Sequence, residues 1–165
     1  MSQLPHSAGS SESPSKTELL DAPLHTIGFK VDKLSPEKVS GHLLITTECC
    51  QPFNKLHGGV SALIAEALAS MGAYVASGYK RIAGIHLSIH HLKSAQAGDY
   101  IYAEATPATR SKSVQVWDVR IWKLDPSTSE KQEMISSGRL TAVSNLPTPE
   151  SAKGVAQIYQ KYSKL

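Results

Sequence analysis

The sequence predicts an α+β domain in which an antiparallel sheet wraps around one long central helix. From Gly59 to about Ser77 the chain is Ala-rich, carries Leu63, Ile64 and Leu68 at helical spacing and contains no proline, so this stretch reads as the long helix. Strand-like runs lie on both sides of it, two before and four after, and breaks rich in turn-forming residues separate the later ones. A single long helix followed by a run of strands argues for a meander packed on that helix rather than for alternating β-α-β units.

The elements follow in order. Met1 to about Lys16 is rich in Ser, Pro and Gly, has little to bury and lacks the charged-then-apolar pattern of a secretory signal, so residues 1–18 are expected to be a disordered leader. Leu19 to Ile27 is a short mixed segment. Gly28 to Leu34 and Lys38 to Thr47 are expected to pair as a hairpin; the second contains the aliphatic and β-branched run Leu43-Leu44-Ile45-Thr46-Thr47 and is bounded by Pro36 and Pro52. Gly78 supplies a left-handed stop for the long helix. Four strands follow, Ala83 to Leu92, Tyr100 to Thr109, Ser113 to Lys123 and Glu133 to Ser144. The breaks fall at Ala97-Gly98-Asp99, Arg110-Ser111-Lys112 and Asp125-Pro126-Ser127. In the third of them Trp117, Val119 and Ile121 share one face and Asp118 and Arg120 the other, which implies one packed face and one wetter face. Residues 19–146 then form the domain, and residues 147–165 a C-terminal appendage in which Thr148 caps a short helix with Pro149 at its first position and Glu150 in its first turn.

Composition narrows the function. The 165 residues suit one domain, and with 41% hydrophobic and 19% charged residues no apolar run approaches the roughly 20 residues of a bilayer span. A formal charge of +3 with scattered Lys and Arg argues against nucleic acid and leaves room for an anionic small molecule such as an acyl-CoA. Cys49 and Cys50 are sequence neighbours and give no disulfide framework, so a reducing compartment is expected. The chain ends in Ser163-Lys164-Leu165, the tripeptide read by the peroxisomal import receptor, so that receptor is an expected partner and the peroxisome the expected location.

The chemistry concentrates between Gln51 and Ser70. Glu66 is a carboxylate among Ala62, Ala65, Ala67, Ala69 and Ala73, and a carboxylate in such surroundings needs either hydrogen-bond partners or a raised pKa. Its alternative is a solvent-facing helix residue. At the helix start, Gly58-Gly59 either makes a tight turn or leaves a backbone N–H free to donate to an oxyanion, where the helix dipole is positive. Eight residues of helix are about 12 Å at 1.5 Å per residue, so one carbonyl cannot meet both Gly58 and Glu66 of one helix. Two antiparallel helices of a two-fold dimer would bring them together. Ser70 lies one turn beyond Glu66, where it can steady the carboxylate, hold a water or bond back to its own helix. His57 either braces the loop from Asn54 to Gly58 or contacts substrate. His86, His90 and His91 have poor spacing for a metal, since His90 and His91 face opposite sides of a strand, and no metal is expected.

Asn54-x-x-His57-Gly58-Gly59 followed by Glu66, with Gln51 six residues before the histidine and Ser70 four after the glutamate, resembles the hotdog-fold acyl-CoA thioesterases, in particular their aromatic acyl-CoA branch. The likeness covers roughly Leu24 to Ser144. It implies a hotdog domain over 19–146, thioester hydrolysis with Glu66 as nucleophile or general base, and Gln51 helping to polarise the carbonyl. Gly58, His57 and Ser70 would complete the catalytic set. On the substrate side it implies His90, His91, Lys93, Lys112, Ser113 and Arg139; for the three cations the alternative is a solvated surface position. CoA belongs to the substrate and no further cofactor is implied. A homodimer or homotetramer with sites between subunits is implied as well. With the C-terminal tripeptide added, the chain is similar to the plant peroxisomal enzymes that hydrolyse 1,4-dihydroxy-2-naphthoyl-CoA in phylloquinone synthesis. A broad-specificity peroxisomal acyl-CoA thioesterase and a non-catalytic acyl-CoA-binding module are the alternatives.

Overall fold

Helix α3 (Gly58–Ala76) is the axis of the computed structural model, which describes residues 13–163. Two short helices, α1 (Lys16–Leu20) and α2 (Ala22–Thr26), precede a six-stranded sheet made of β1 (Lys30–Leu34), β2 (Val39–Leu44), β3 (Arg81–His91), β4 (Tyr100–Arg110), β5 (Val114–Leu124) and β6 (Lys131–Leu146). The strand order is β1-β2-β4-β5-β6-β3, with every neighbouring pair antiparallel. Helix α4 (Val155–Tyr162) closes the described chain.

The sheet curls over α3 and buries Ile64, Leu68, Met71 and Val75 of the helix against Ile101, Ala103, Trp117, Ile121 and Leu140. Close approach depends on Gly72, where a Cβ would lie 2.4 Å from the Trp117 ring. Trp117 Nε1 donates to Gln115 Oε1 at 3.0 Å, and Gln115 Nε2 in turn donates to the Ala73 carbonyl at 3.0 Å and to Ser144 Oγ at 3.1 Å. This buried network satisfies its polar atoms while fixing the helix against β5 and β6. By length and composition α3 could also cross a bilayer, but Glu66 interrupts its apolar run and its apolar side is the domain core.

Two boundaries differ from expectation. Residues 16–18, assigned to the leader, begin α1: Ser15 Oγ accepts from the Glu18 N–H at 3.2 Å, and Ser15-Lys16-Thr17-Glu18 is a capping-box pattern. Residues 1–12 lie outside the described part. At the other end Thr148 caps no helix among the described residues. Pro149 is extended, at φ −67 and ψ 152, and only a short 3-10 turn over Glu150–Ala152 follows it before α4. Nor is α4 a free appendage: Tyr159 donates to the Leu20 carbonyl at 3.2 Å, packs edge-on against Tyr74, and Tyr79 bonds Ser163. Burial pushes the Tyr159 hydroxyl well above its usual pKa. Lys164 and Leu165 of the terminal tripeptide lie outside the described residues.

One edge of the sheet is open. Strand β3 pairs with β6 alone, and its other side carries no partner among the described residues.

Candidate active site

His57 is the N-cap of α3, and its Nδ1 accepts from the Gly59 N–H at 2.8 Å. Nδ1 is therefore the lone-pair nitrogen, and the imidazole caps the start of the helix. The same bond separates the two glycines. The Gly59 N–H is engaged, whereas that of Gly58 has no acceptor among the described residues and sits at the positive end of a helix of 19 residues.

Gly58 opens onto a cavity of about 420 Å³ that is also lined by Gln51, His91, Lys93 and Ser136. The His91 ring covers the glycine: a Cβ there would lie 3.0 Å from His91 Nε2. The Gln51 carboxamide oxygen accepts from the Phe53 N–H at 2.5 Å, and the Asn54 N–H donates to the Gln51 carbonyl at 2.9 Å, so the loop is folded on this residue. Asn54 has φ 59, the left-handed conformation that Asn tolerates in tight turns. The structure thus gathers Gln51, His57, Gly58, His91 and Lys93 at the start of α3.

Glu66 lies elsewhere. It is half-buried beside β3, and Ser70 Oγ donates to its Oε1 at 3.2 Å, so of the roles open to Ser70 the geometry shows contact with the carboxylate. The carboxylate rests on Gly84 of β3, where a Cβ would lie 2.5 Å from Oε1. Sequence reasoning did not single out Gly84. A glycine inside a strand marks close approach of another group, which was the available signal. The register also shifts between Gly84 and His86, a bulge of the kind that re-aims side chains beside functional groups.

The other expected residues are dispersed. Pairing of His90 with Ser137 and of Ser88 with Arg139 sets His90 and Arg139 on the sheet face away from α3, while His91, next in sequence, faces the helix. Arg139 Nε donates to Asp118 at 2.7 Å, and this hydrogen bond raises the guanidinium pKa further. Lys112 and Ser113 occupy the β4–β5 turn; Lys112 lines a cavity of about 210 Å³ with Lys80 and Arg110 near the C-terminal end of α3. Within one protomer, then, the expected CoA contacts fall in three places. No group of three or more His, Cys, Asp or Glu suited to a metal occurs among the described residues, and Cys49 and Cys50 are both free thiols.

A stripe of α3 made of Gly59, Ala62, Leu63, Glu66 and Ser70 stays partly exposed next to the open edge of β3, and Ile85 on that strand is 62% exposed. Small side chains on a helix beside an unpaired strand edge form a surface onto which a second copy can close.

The sequence model described as the thioesterase superfamily matches residues 53–130, which include the Gly58, Glu66 and Gly84 positions. The chain is 54% identical to the 1,4-dihydroxy-2-naphthoyl-CoA thioesterase 2 of Arabidopsis thaliana over 82% of its length and 87% of that protein's. It is 35% identical to a 1,4-dihydroxy-2-naphthoyl-CoA hydrolase of Listeria monocytogenes over 70% of its length and 89% of that protein's. Among solved structures, zebra fish thioesterase superfamily member 2 superposes with a TM-score of 0.67 at 17% identity, covering 78% of this chain and 91% of that one.

Proposed function

The chain belongs to the thioesterase superfamily and has its hotdog fold, and on that premise we propose that it hydrolyses an aryl-CoA, 1,4-dihydroxy-2-naphthoyl-CoA, to the naphthoate and free CoA. The choice of acyl group is supported by similarity to relatives from a plant and a bacterium that carry this substrate in their names. The chemistry is carried by one observation: a helix-start N–H without an acceptor among the described residues, at Gly58, and a hydrogen-bonded carboxylate, at Glu66, on one helix but about 12 Å apart.

That separation supports a two-fold dimer. Ser88 lies about midway between Gly84 and His91 on β3, so a two-fold axis near Ser88 pairs the open edges. It carries the partner subunit's Glu66 toward the Gly58 of the first chain. The same operation brings the Lys112–Ser113 end of one chain toward the Lys93 end of the other. The dispersed cations thereby approach a single nucleotide site.

In the composite site the Gly58 N–H donates to the thioester oxygen as negative charge develops on it. The partner subunit's Glu66 either attacks the carbonyl carbon, forming an anhydride that water then opens at the naphthoyl carbon, or takes a proton from a water whose oxygen attacks. In both courses the C–S bond breaks, the thiolate leaves as CoA after gaining a proton, and the naphthoate carries the oxygen from water. Two dimers would associate into a tetramer. The terminal Ser163-Lys164-Leu165 supports delivery to peroxisomes by the import receptor, and so a place in phylloquinone synthesis.

Thiol-release kinetics over naphthoyl-, hydroxybenzoyl- and long-chain acyl-CoAs test this reading. The highest kcat/KM is expected for the naphthoyl thioester. A preference for a long chain would overturn the aryl assignment, and saturable CoA binding without thiol release would make the chain a binding module.

A further inference from the structure

We infer that the C-terminal segment, residues 147–163, walls the acyl pocket: the ring system of the aryl-CoA enters a cavity between α3 and this segment. The inference rests on the hydrolysis proposed above and assigns the acyl half of that site. The cavity, about 270 Å³, is lined by Ser70, Met71 and Tyr74 from α3 and by Pro149, Val155 and Tyr159 from the segment. Ser70 belongs to both places, since its hydroxyl donates to Glu66 at 3.2 Å. The cavity therefore begins one helical turn beyond the carboxylate, on the side away from Gly58.

A thioester carbonyl held at Glu66 has two substituents to place. Toward the partner's Gly58 the walls offer Gln51, Lys93 and the positive helix end, which suit the polar, phosphorylated CoA arm. Toward Met71 and Tyr74 the walls are mainly aromatic and aliphatic, with Asp21 and Arg81 the charged residues of the lining. Tyr74 and Tyr159 meet edge-on, with ring centroids 4.8 Å apart at 80°, and a flat ring entering beside them meets the arrangement that aromatic groups prefer. The volume falls just under the roughly 300–1,000 Å³ of pockets for drug-sized ligands, so it fits a fused pair of rings better than an extended acyl chain.

The wall is fastened rather than loosely laid. Arg81 Nη1 donates to the Pro147 carbonyl at 3.3 Å, Tyr159 to the Leu20 carbonyl at 3.2 Å, and Tyr79 bonds Ser163. It also lies outside residues 53–130, the stretch that the superfamily model matches.

Val155→Trp and Ala152→Phe fill the cavity from two positions on the partly exposed wall, where added bulk does not disturb the core. Each is expected to lower the ratio of kcat/KM for naphthoyl-CoA to that for benzoyl-CoA by about tenfold. Each should also weaken the calorimetric affinity for free 1-hydroxy-2-naphthoate. An unchanged ratio together with unchanged naphthoate affinity in both variants would overturn the pocket assignment, even with the wild type hydrolysing aryl-CoAs. A wild type that turns over no aryl-CoA, but whose naphthoate affinity falls in the filled variants, would instead sink the hydrolysis reading and leave the pocket standing.

Discussion

Glu66→Gln is expected to lower kcat for an aryl-CoA by about 10³-fold, within the range for losing a general base or nucleophile, while the unfolding midpoint changes little. The substitution conserves shape. Gln keeps an Oε1 that can accept from Ser70 and rest against Gly84, so the packing around the side chain survives. It removes the negative charge, and with it both the capacity to attack a carbonyl and the capacity to take a proton from water. Turnover within a few-fold of wild type, measured by thiol release on folded protein, would deny Glu66 a chemical role.

Gly84→Ala should cost about 10²-fold in kcat with a much smaller change in KM, the penalty of moving a reacting group by about an ångström. A Cβ at this position would lie 2.5 Å from Glu66 Oε1 and 3.2 Å from Leu140 Cδ1. Gly84 is not among the glycines with positive φ, so the backbone itself accepts alanine, and the strain falls on the carboxylate, the more movable neighbour. Since the new methyl faces the carboxylate rather than the Lys93 cavity, binding of the CoA arm should be spared. A variant with wild-type kcat would show that the carboxylate does not need its present position.

Much of this architecture is legible in the residues. Helix α3 begins one residue from the expected start because Gly58-Gly59 and the proline-free Ala-rich run define it, and the turn clusters separate β4, β5 and β6 where the chain reverses. The start of α1 was equally legible in Ser15-x-x-Glu18 but was masked by the Ser- and Pro-rich composition around it. Gly84 is of another kind. Its meaning comes from a contact between a helix and an edge strand 18 positions apart, and no local pattern encodes that pairing. The place of Val155 and Tyr159 in a cavity wall was hidden for the same reason: sequence shows a short helix but not the surface on which it lands. The dispersal of Lys93, Lys112 and Arg139 within one protomer follows from the sheet order, which sets β3 beside β6 rather than beside β4.

The central claim is that each site takes Gly58 from one chain and Glu66 from the other, and subunit complementation tests it most directly. Gly58→Pro removes the N–H with little backbone cost, because proline suits the first position of a helix and His57, at φ −66 and ψ 130, already has the conformation a following proline requires. Homodimers of Gly58→Pro and of Glu66→Gln should both be nearly inactive. A heterodimer of the two, isolated through different tags, carries one site with both lesions and one with neither, so about half of the wild-type kcat per dimer should return. A heterodimer as inactive as its parents would contradict the shared site and return the chemistry to a single protomer.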